Sequence, residues 1–232
     1  PSFYKSPTDM GCNAAGFGVR DDAVVREAAK QELIRRFFRY ACEYTLGFVE
    51  KETVQRAELL MKELGVAPED RKVVGAARRA AEEARASGQG HKGVFVGAAM
   101  ELRDGAIVTG KNSPLMHAAS ALVLNAVKRL AGIPDRIHLL SPSIIESVGA
   151  LKTSVFGARS VSLDLSEVLI CLSINAASNP MAHLALEKMK ELQGCEVHIT
   201  HIPTPGDDAG LRRFGINLTT DPEFASKRLF MG

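Results

Sequence analysis

The sequence predicts an α/β (or α+β) protein: a helical N-terminal subdomain followed by a mixed sheet of about five short strands covered by helices. Apolar residues recur at helical spacing through the first third of the chain. A strand–turn–strand signal then follows a glycine-rich linker, and helical and strand-like stretches alternate from there on.

Taking the elements in order, residues 1–19 show neither period and read as an arm or loop. Asp21 and Asp22 supply an N-cap for a helix over 23–46. Val25, Ala29, Leu33, Phe37, Ala41 and Tyr44 mark its apolar stripe, and Gly47 stops it. A second helix covers 51–64 and ends at Gly65, and a third, with Pro68 in its first turn, runs to Ala86. Residues 20–87 thus form the helical subdomain. Ser87-Gly88-Gln89-Gly90 is the linker, and 88–232 the α/β domain. There, 94–102 and 106–109 flank Arg103-Asp104-Gly105 as a hairpin. A helix begins at Pro114 or Leu115 and ends before Gly132, 137–140 reads as a short buried strand, and Ser141-Pro142 opens another helix. The stretch 164–177 fits either period, with length favouring helix. A helix over 181–192, a strand over 196–202, a short helix capped by Asp207 or Asp208, and a strand over 216–219 complete the order.

Composition narrows the functional classes. Hydrophobic residues at 46% and charged residues at 24% are ordinary for a globular chain. The net charge of +2 arises from 29 basic and 27 acidic residues, so no basic excess marks a nucleic-acid partner. No apolar run is long enough to cross a bilayer. Cys12, Cys42, Cys171 and Cys195 are scattered and form no CxxC, so a disulfide framework is not expected, and the cytosol is the default compartment.

Chemistry concentrates at one junction. Thr109-Gly110-Lys111-Asn112-Ser113 ends a strand and is expected to open a helix. There, free backbone N–H groups and the positive end of the dipole favour anions. Lys111 adds a charge, Ser113 a cap or a phosphate contact, and Thr109 and Asn112 further polar groups. The bland alternative, an N-cap beside a solvated lysine, stays open because the full pattern GxxxxGK[ST] is absent. In the opening arm, Lys5, Ser6, Thr8, Asp9 and Asn13 stand among glycines, a composition suited to wrapping a ligand or a subunit, and Arg159 offers one more cation. The partners expected are a small anionic or phosphorylated molecule and further copies of the chain. The longest helix carries Phe37, Phe38, Tyr40 and Tyr44, more bulk than one core face needs, so an oligomerisation module without chemistry of its own is the alternative reading. HExxH and GxSxG are absent. His117 lacks the acidic neighbour and the PCxxC of the zinc deaminases. On a strand, Cys195 and His201 face one way and His198 the other, so the three do not converge on a metal.

The segments Tyr4-Lys5-Ser6-Pro7-Thr8-Asp9-Met10-Gly11, Gly110-Lys111-Asn112-Ser113 and Ser120-Ala121-Leu122-Val123-Leu124-Asn125-Ala126 occur here in a recognisable order. So do Leu130-Ala131-Gly132-Ile133, Ala177-Ser178-Asn179-Pro180, Gly194-Cys195 with His198, and Gly215-Ile216-Asn217-Leu218. Together they resemble domain-of-unknown-function family 1846, from end to end of the chain. The resemblance implies that this is the C-terminal half of a longer protein. The other half would hold a nucleotide-type α/β domain with a phosphate-loop-like glycine-serine-glycine-lysine stretch. The zinc-protease label some members carry finds no zincin motif here, and His201 is not part of the shared pattern. No cofactor and no reaction come with the resemblance.

Overall fold

The computed structural model describes residues 21–158 and 160–225. The chain forms two compact units that divide between Arg71 and Lys72.

In the first unit, α1 spans Asp22–Thr45 and α2 Lys51–Glu63. Asp21 Oδ1 accepts the N–H groups of Ala23 and Val24, so the expected cap forms. At the other end, Gly47 adopts φ +79° and lets the N–H of Phe48 reach back to the carbonyl of Glu43. Ile34, Phe38 and Ala41 recur along one side of α1, and Val54, Ala57 and Met61 along one side of α2; all six are buried, and the two helices pack together. The expected helix from Pro68 starts as a single 3-10 turn, Pro68–Asp70. Asp70 Oδ2 accepts the Ala67 N–H, and Arg71 then takes an extended conformation that breaks the helix.

The second unit is built on a mixed sheet. The described residues form four strands, β1 (Gly97–Glu101), β2 (Ile107–Lys111), β3 (Glu196–Ile199) and β4 (Asn217–Thr220), in the spatial order β2-β1-β3-β4. The hairpin forms as expected, with Ala98 opposite Gly110. β1 also pairs antiparallel with β3, and β3 pairs parallel with β4. Helix α3 (Lys72–Ala86) packs on one face and α4 (Ala118–Leu130) on the other. Helices α5 (Pro142–Ser154), α6 (Leu165–Ala176), α7 (Pro180–Lys188) and α8 (Pro205–Arg213) complete the unit. The chain is thus α/β, with four strands where about five were expected.

The missing strand is 137–140. Leu139 and Leu140 are buried there, but as an irregular wall: the Ile137 N–H turns back to the Pro134 carbonyl, and Asn175 Nδ2 donates to the Leu139 carbonyl at 2.6 Å. The ambiguous stretch after Asp164 is helix, closed at its start by reciprocal Asp164–Glu167 capping. None of the described helices is long and apolar enough to cross a membrane.

What lets both helices press so close to the sheet is the absence of side chains at two points. A Cβ on Gly97 would stand 2.1 Å from the Ala77 carbonyl oxygen of α3. On the opposite face, a Cβ on Gly110 would stand 2.3 Å from the Leu122 nitrogen of α4. Alanines complete the α3 contact: Ala76 and Ala77, with Val73, are buried against Ala99 of β1.

The α3 face also carries a buried ionic tie. His198 on β3 is fully buried, and its Nδ1 pairs with Thr219 Oγ1 on β4 at 2.9 Å. Its Nε2 stands 3.4 Å from Asp221 Oδ1, just past β4, and Arg78 of α3 grips the same carboxylate at 2.7 and 3.2 Å. Burial opposes ionisation of Asp221, but His198 and the Arg78 guanidinium outweigh it and hold its carboxyl at about 2.

Gly97→Ala and Gly110→Ala are each expected to cost about 2–4 kcal/mol, because backbone rather than a flexible side chain must give way. Gly105→Ala, in open space at φ +81°, should cost only about 1 kcal/mol. Urea midpoints at constant m measure all three, and equal losses would refute the close-packing account. The Asp221 tie is a carboxylate case: its contribution is present above the ordinary value of 3.8 and lost as pH falls towards 2. Arg78→Met should therefore cost about 2 kcal/mol at pH 6, with the difference from wild type shrinking between pH 4 and 2.

Candidate functional site

Strand direction places the polar residues at one end of the second unit. β2, β3 and β4 run the same way and β1 runs against them, so the segments leaving β2, β3 and β4 and the segment entering β1 share that end. The carboxyl ends of strands are where open α/β sheets take their ligands.

The junction after β2 is held mainly by internal bonds. Lys111 Nζ pairs with Glu83 Oε2 at 2.9 Å across the surface of α3. Asn112 is buried; its Oδ1 accepts the Val96 N–H at 2.8 Å and its Nδ2 donates to the Val94 carbonyl at 3.0 Å. The Thr109 carbonyl accepts from Asn125 Nδ2 at 2.9 Å. Ser113 Oγ accepts the N–H groups of Leu115 and Met116, both at 3.2 Å, which makes a turn and not a helix. The expected helix start at 114 or 115 is therefore corrected to Ala118, with His117 as the N-cap. Lys5, Ser6, Thr8, Asp9, Asn13 and Arg159 lie outside the described residues.

The helix N-terminus that the sequence placed at Ser113 thus stands at His117, and there a fixed imidazole is found. His117 Nδ1 meets Asp207 Oδ2 at 2.7 Å. Thr204 Oγ1 donates to the same oxygen at 2.8 Å, and Asp207 Oδ1 accepts the Leu165 N–H at 2.9 Å. Since a carboxylate only accepts, the ring carries its proton on Nδ1, and Nε2 is the nitrogen not committed to Asp207. No described residue hydrogen-bonds that Nε2. The Asp207 side chain is 5% exposed and that of His117 29%, so the anchor is buried and the ring is partly exposed. Burial works against a charged ring here, but the hydrogen bond and charge of Asp207, aided by Asp164, raise the His117 pKa above its ordinary value.

Three helices begin around this carboxylate: α4 after His117, α6 at Leu165 and α8 after its N-cap Thr204. Backbone bonds lace them. The His117 N–H donates to the Leu163 carbonyl and the Leu163 N–H to the Leu115 carbonyl. Gly206 permits the crossing, since a Cβ there would stand 2.1 Å from Asp164 Oδ2. Lys152 Nζ braces the same loop through Glu167 Oε2 and the Ser162 carbonyl, both at 2.6 Å. Nearby, His91 Nε2 pairs with Ser160 Oγ at 3.3 Å. Burial, followed by the charges of Lys92 and His117, pushes the His91 pKa down.

The Cys195, His198 and His201 trio is dispersed among separate partners. Cys195 Sγ contacts the Glu191 carbonyl, His198 belongs to the Asp221 tie, and His201 Nδ1 pairs with Thr200 Oγ1 at 3.1 Å. Sequence reasoning passed over the His117–Asp207 pair, whose members are ninety positions apart. The local signal available was Thr204-Pro205-Gly206-Asp207, a capping spacing in which the acid at the third helical position also reaches elsewhere.

Comparison with known proteins adds the family. The model described as "Domain of unknown function DUF1846, C-terminal" matches residues 69–230, and that described as "Domain of unknown function DUF1846, N-terminal" matches 1–65. The junction between the two matches falls within a few residues of the division between the compact units. A protein of Clostridium botulinum (strain ATCC 19397 / Type A) named "UPF0371 protein" is 48% identical over 229 residues, covering 99% of this chain and 45% of its own length. A protein of the same name from C. botulinum (strain Alaska E43 / Type E3) is 45% identical over the same span. The chain therefore spans about half the length of the curated relatives it matches. With the two family models matching successive segments that together cover most of it, the chain belongs to the DUF1846 family.

Proposed function

We propose that this chain supplies one wall of a small-molecule site for a phosphate-bearing or otherwise anionic ligand, with His117 as the group that meets the anion. The observation that carries this reading is the 2.7 Å bond from His117 Nδ1 to buried Asp207, which leaves Nε2–H of the protonated, partly exposed ring as the donor for a ligand. Its raised pKa keeps the ring charged closer to neutrality. The starts of α4, α6 and α8 add three positive dipole ends around it. Thr109, Lys111, Asn112 and Ser113 shape the loop that presents His117, and polypeptide outside this chain completes the site.

A second reading, association with another copy, is favoured by α5 and α6. Of the thirteen residues of α5 only Gly149 is fully buried, and Val155 and Phe156 just beyond it are 66% and 70% exposed. Ile170 and Ile174 on α6 are likewise exposed. In the first unit Phe38 is buried in α1, whereas Tyr44 is exposed.

Inorganic phosphate at 10 mM is expected to stabilise the protein by about 1 kcal/mol at pH 6, read as a thermal shift, if its Kd is about 1–2 mM. The shift should fade as pH rises through the His117 pKa, because the charged ring is present below that value and lost above it. His117→Gln should abolish the shift, and Asp207→Asn should lower the ring pKa measured by imidazole NMR. Indifference to phosphate, sulfate and nucleotides at pH 6 would sink the reading. For the second reading, light scattering at high micromolar concentration should show a dimer or larger, and Phe156→Ser should shift it towards monomer; a strict monomer argues against it.

A further inference from the structure

A hollow of about 210 Å³ lies beside α4; Leu115 and Met116, next to His117 in the chain, are among its lining, whereas His117 and Asp207 are not. Leu115 and Met116 of the loop before α4, Leu124 of α4, Leu139, Leu140 and Ile145 supply most of its apolar lining. The wall over 137–140 is the apolar stretch that forms no strand, pinned by Asn175 on the Leu139 carbonyl. The hollow is partly open to solvent, and its volume lies between the about 150 Å³ that holds a benzene ring and the about 300 Å³ or more that drug-sized ligands fill. The space suits one ring or a short chain.

The polar groups among the lining residues are Asn125, Lys128 and His138, and no carboxylate is among them. Lys128 Nζ donates to the Asp135 carbonyl at 2.7 Å, which uses one of its donors and neutralises none of its charge. No described carboxylate pairs with it. An apolar hollow with one uncompensated cation matches a molecule with an apolar body and a single negative charge.

We propose that this cavity binds a small aromatic or short-chain carboxylate, its body against Leu124, Leu139 and Ile145 and its carboxylate at Lys128. A single lysine balances a monoanion, which separates this ligand from the phosphate-type anion assigned to His117.

Fluorine NMR titration with 4-fluorobenzoate, and with 4-fluorobenzyl alcohol as its neutral counterpart, tests the proposal. Saturable binding of the benzoate is expected, about fivefold tighter than the alcohol. Lys128→Gln should erase that preference while the alcohol still binds. Ala121→Phe, which fills the cavity from α4, should exclude both. Contacts from the bound ring to the Leu140 and Ile145 methyls in nuclear Overhauser spectra locate the site independently of how that variant folds. His117→Gln should leave benzoate binding intact. The proposal is overturned if neither probe saturates, if Lys128→Gln leaves the preference unchanged, if the ring contacts fall elsewhere, or if His117→Gln removes benzoate binding.

Discussion

Much of the second unit follows from two places where a helix backbone rests directly on a strand backbone. Gly97 and Gly110 sit on neighbouring strands but face opposite ways, one into α3 and the other into α4. A four-stranded sheet of such short strands has little area of its own, and it is stable only if both faces are covered closely. The alanines of α3 and of β1 serve the same end, since small side chains let the layers approach and leave no void. That approach also fixes where the long side chains of α3 emerge. Arg78 meets Asp221 at one strand end and Glu83 meets Lys111 at another.

From this frame, position passes to the functional end through hydrogen bonds rather than through bulk. Asn112 replaces strand pairing where β2 runs out, with its side chain taking up the backbone groups of Val94 and Val96. Ser113 then turns the chain, and the Leu163 bridge carries it to His117. The imidazole is therefore aimed by elements from distant parts of the sequence, with α6 capped by Asp164 and α8 by Thr204. Asp207 suits a place near three helix starts, because their dipoles favour a negative charge that would otherwise be costly to bury.

The sequence made the frame readable wherever structure depends on neighbours in the chain. The hairpin at Arg103-Asp104-Gly105, the caps Asp21 and Ser141 and the stops at Gly47 and Gly65 are short-range signals, and each produced the feature it implies. Longer-range competition defeated the rest. Ile137 to Leu140 have strand-like composition, yet no neighbouring strand takes their backbone, and a side chain from α6 satisfies the Leu139 carbonyl instead. Ser113 has the right type for a helix cap, but pairing of Met116 with Leu163 holds the chain extended for another turn. His117 on its own is an ordinary residue. What sets it apart is Asp207, and the fold alone brings the two together.

The two ends of this sheet are built on different principles. Away from His117, the connections are minimal: the hairpin turn 102–106, the step into β3 through Gly194 at φ +77°, and the step into β4 through Gly215 at φ +67°. One residue added to that hairpin turn would slide Ala98 off Gly110 and turn alternate side chains to the wrong face. Segments at the His117 end are longer and are held by side chains and by the single Met116–Leu163 bridge rather than by strand register. A change of length is therefore felt by the sheet at the short-turn end and by the His117–Asp207 contact at the other.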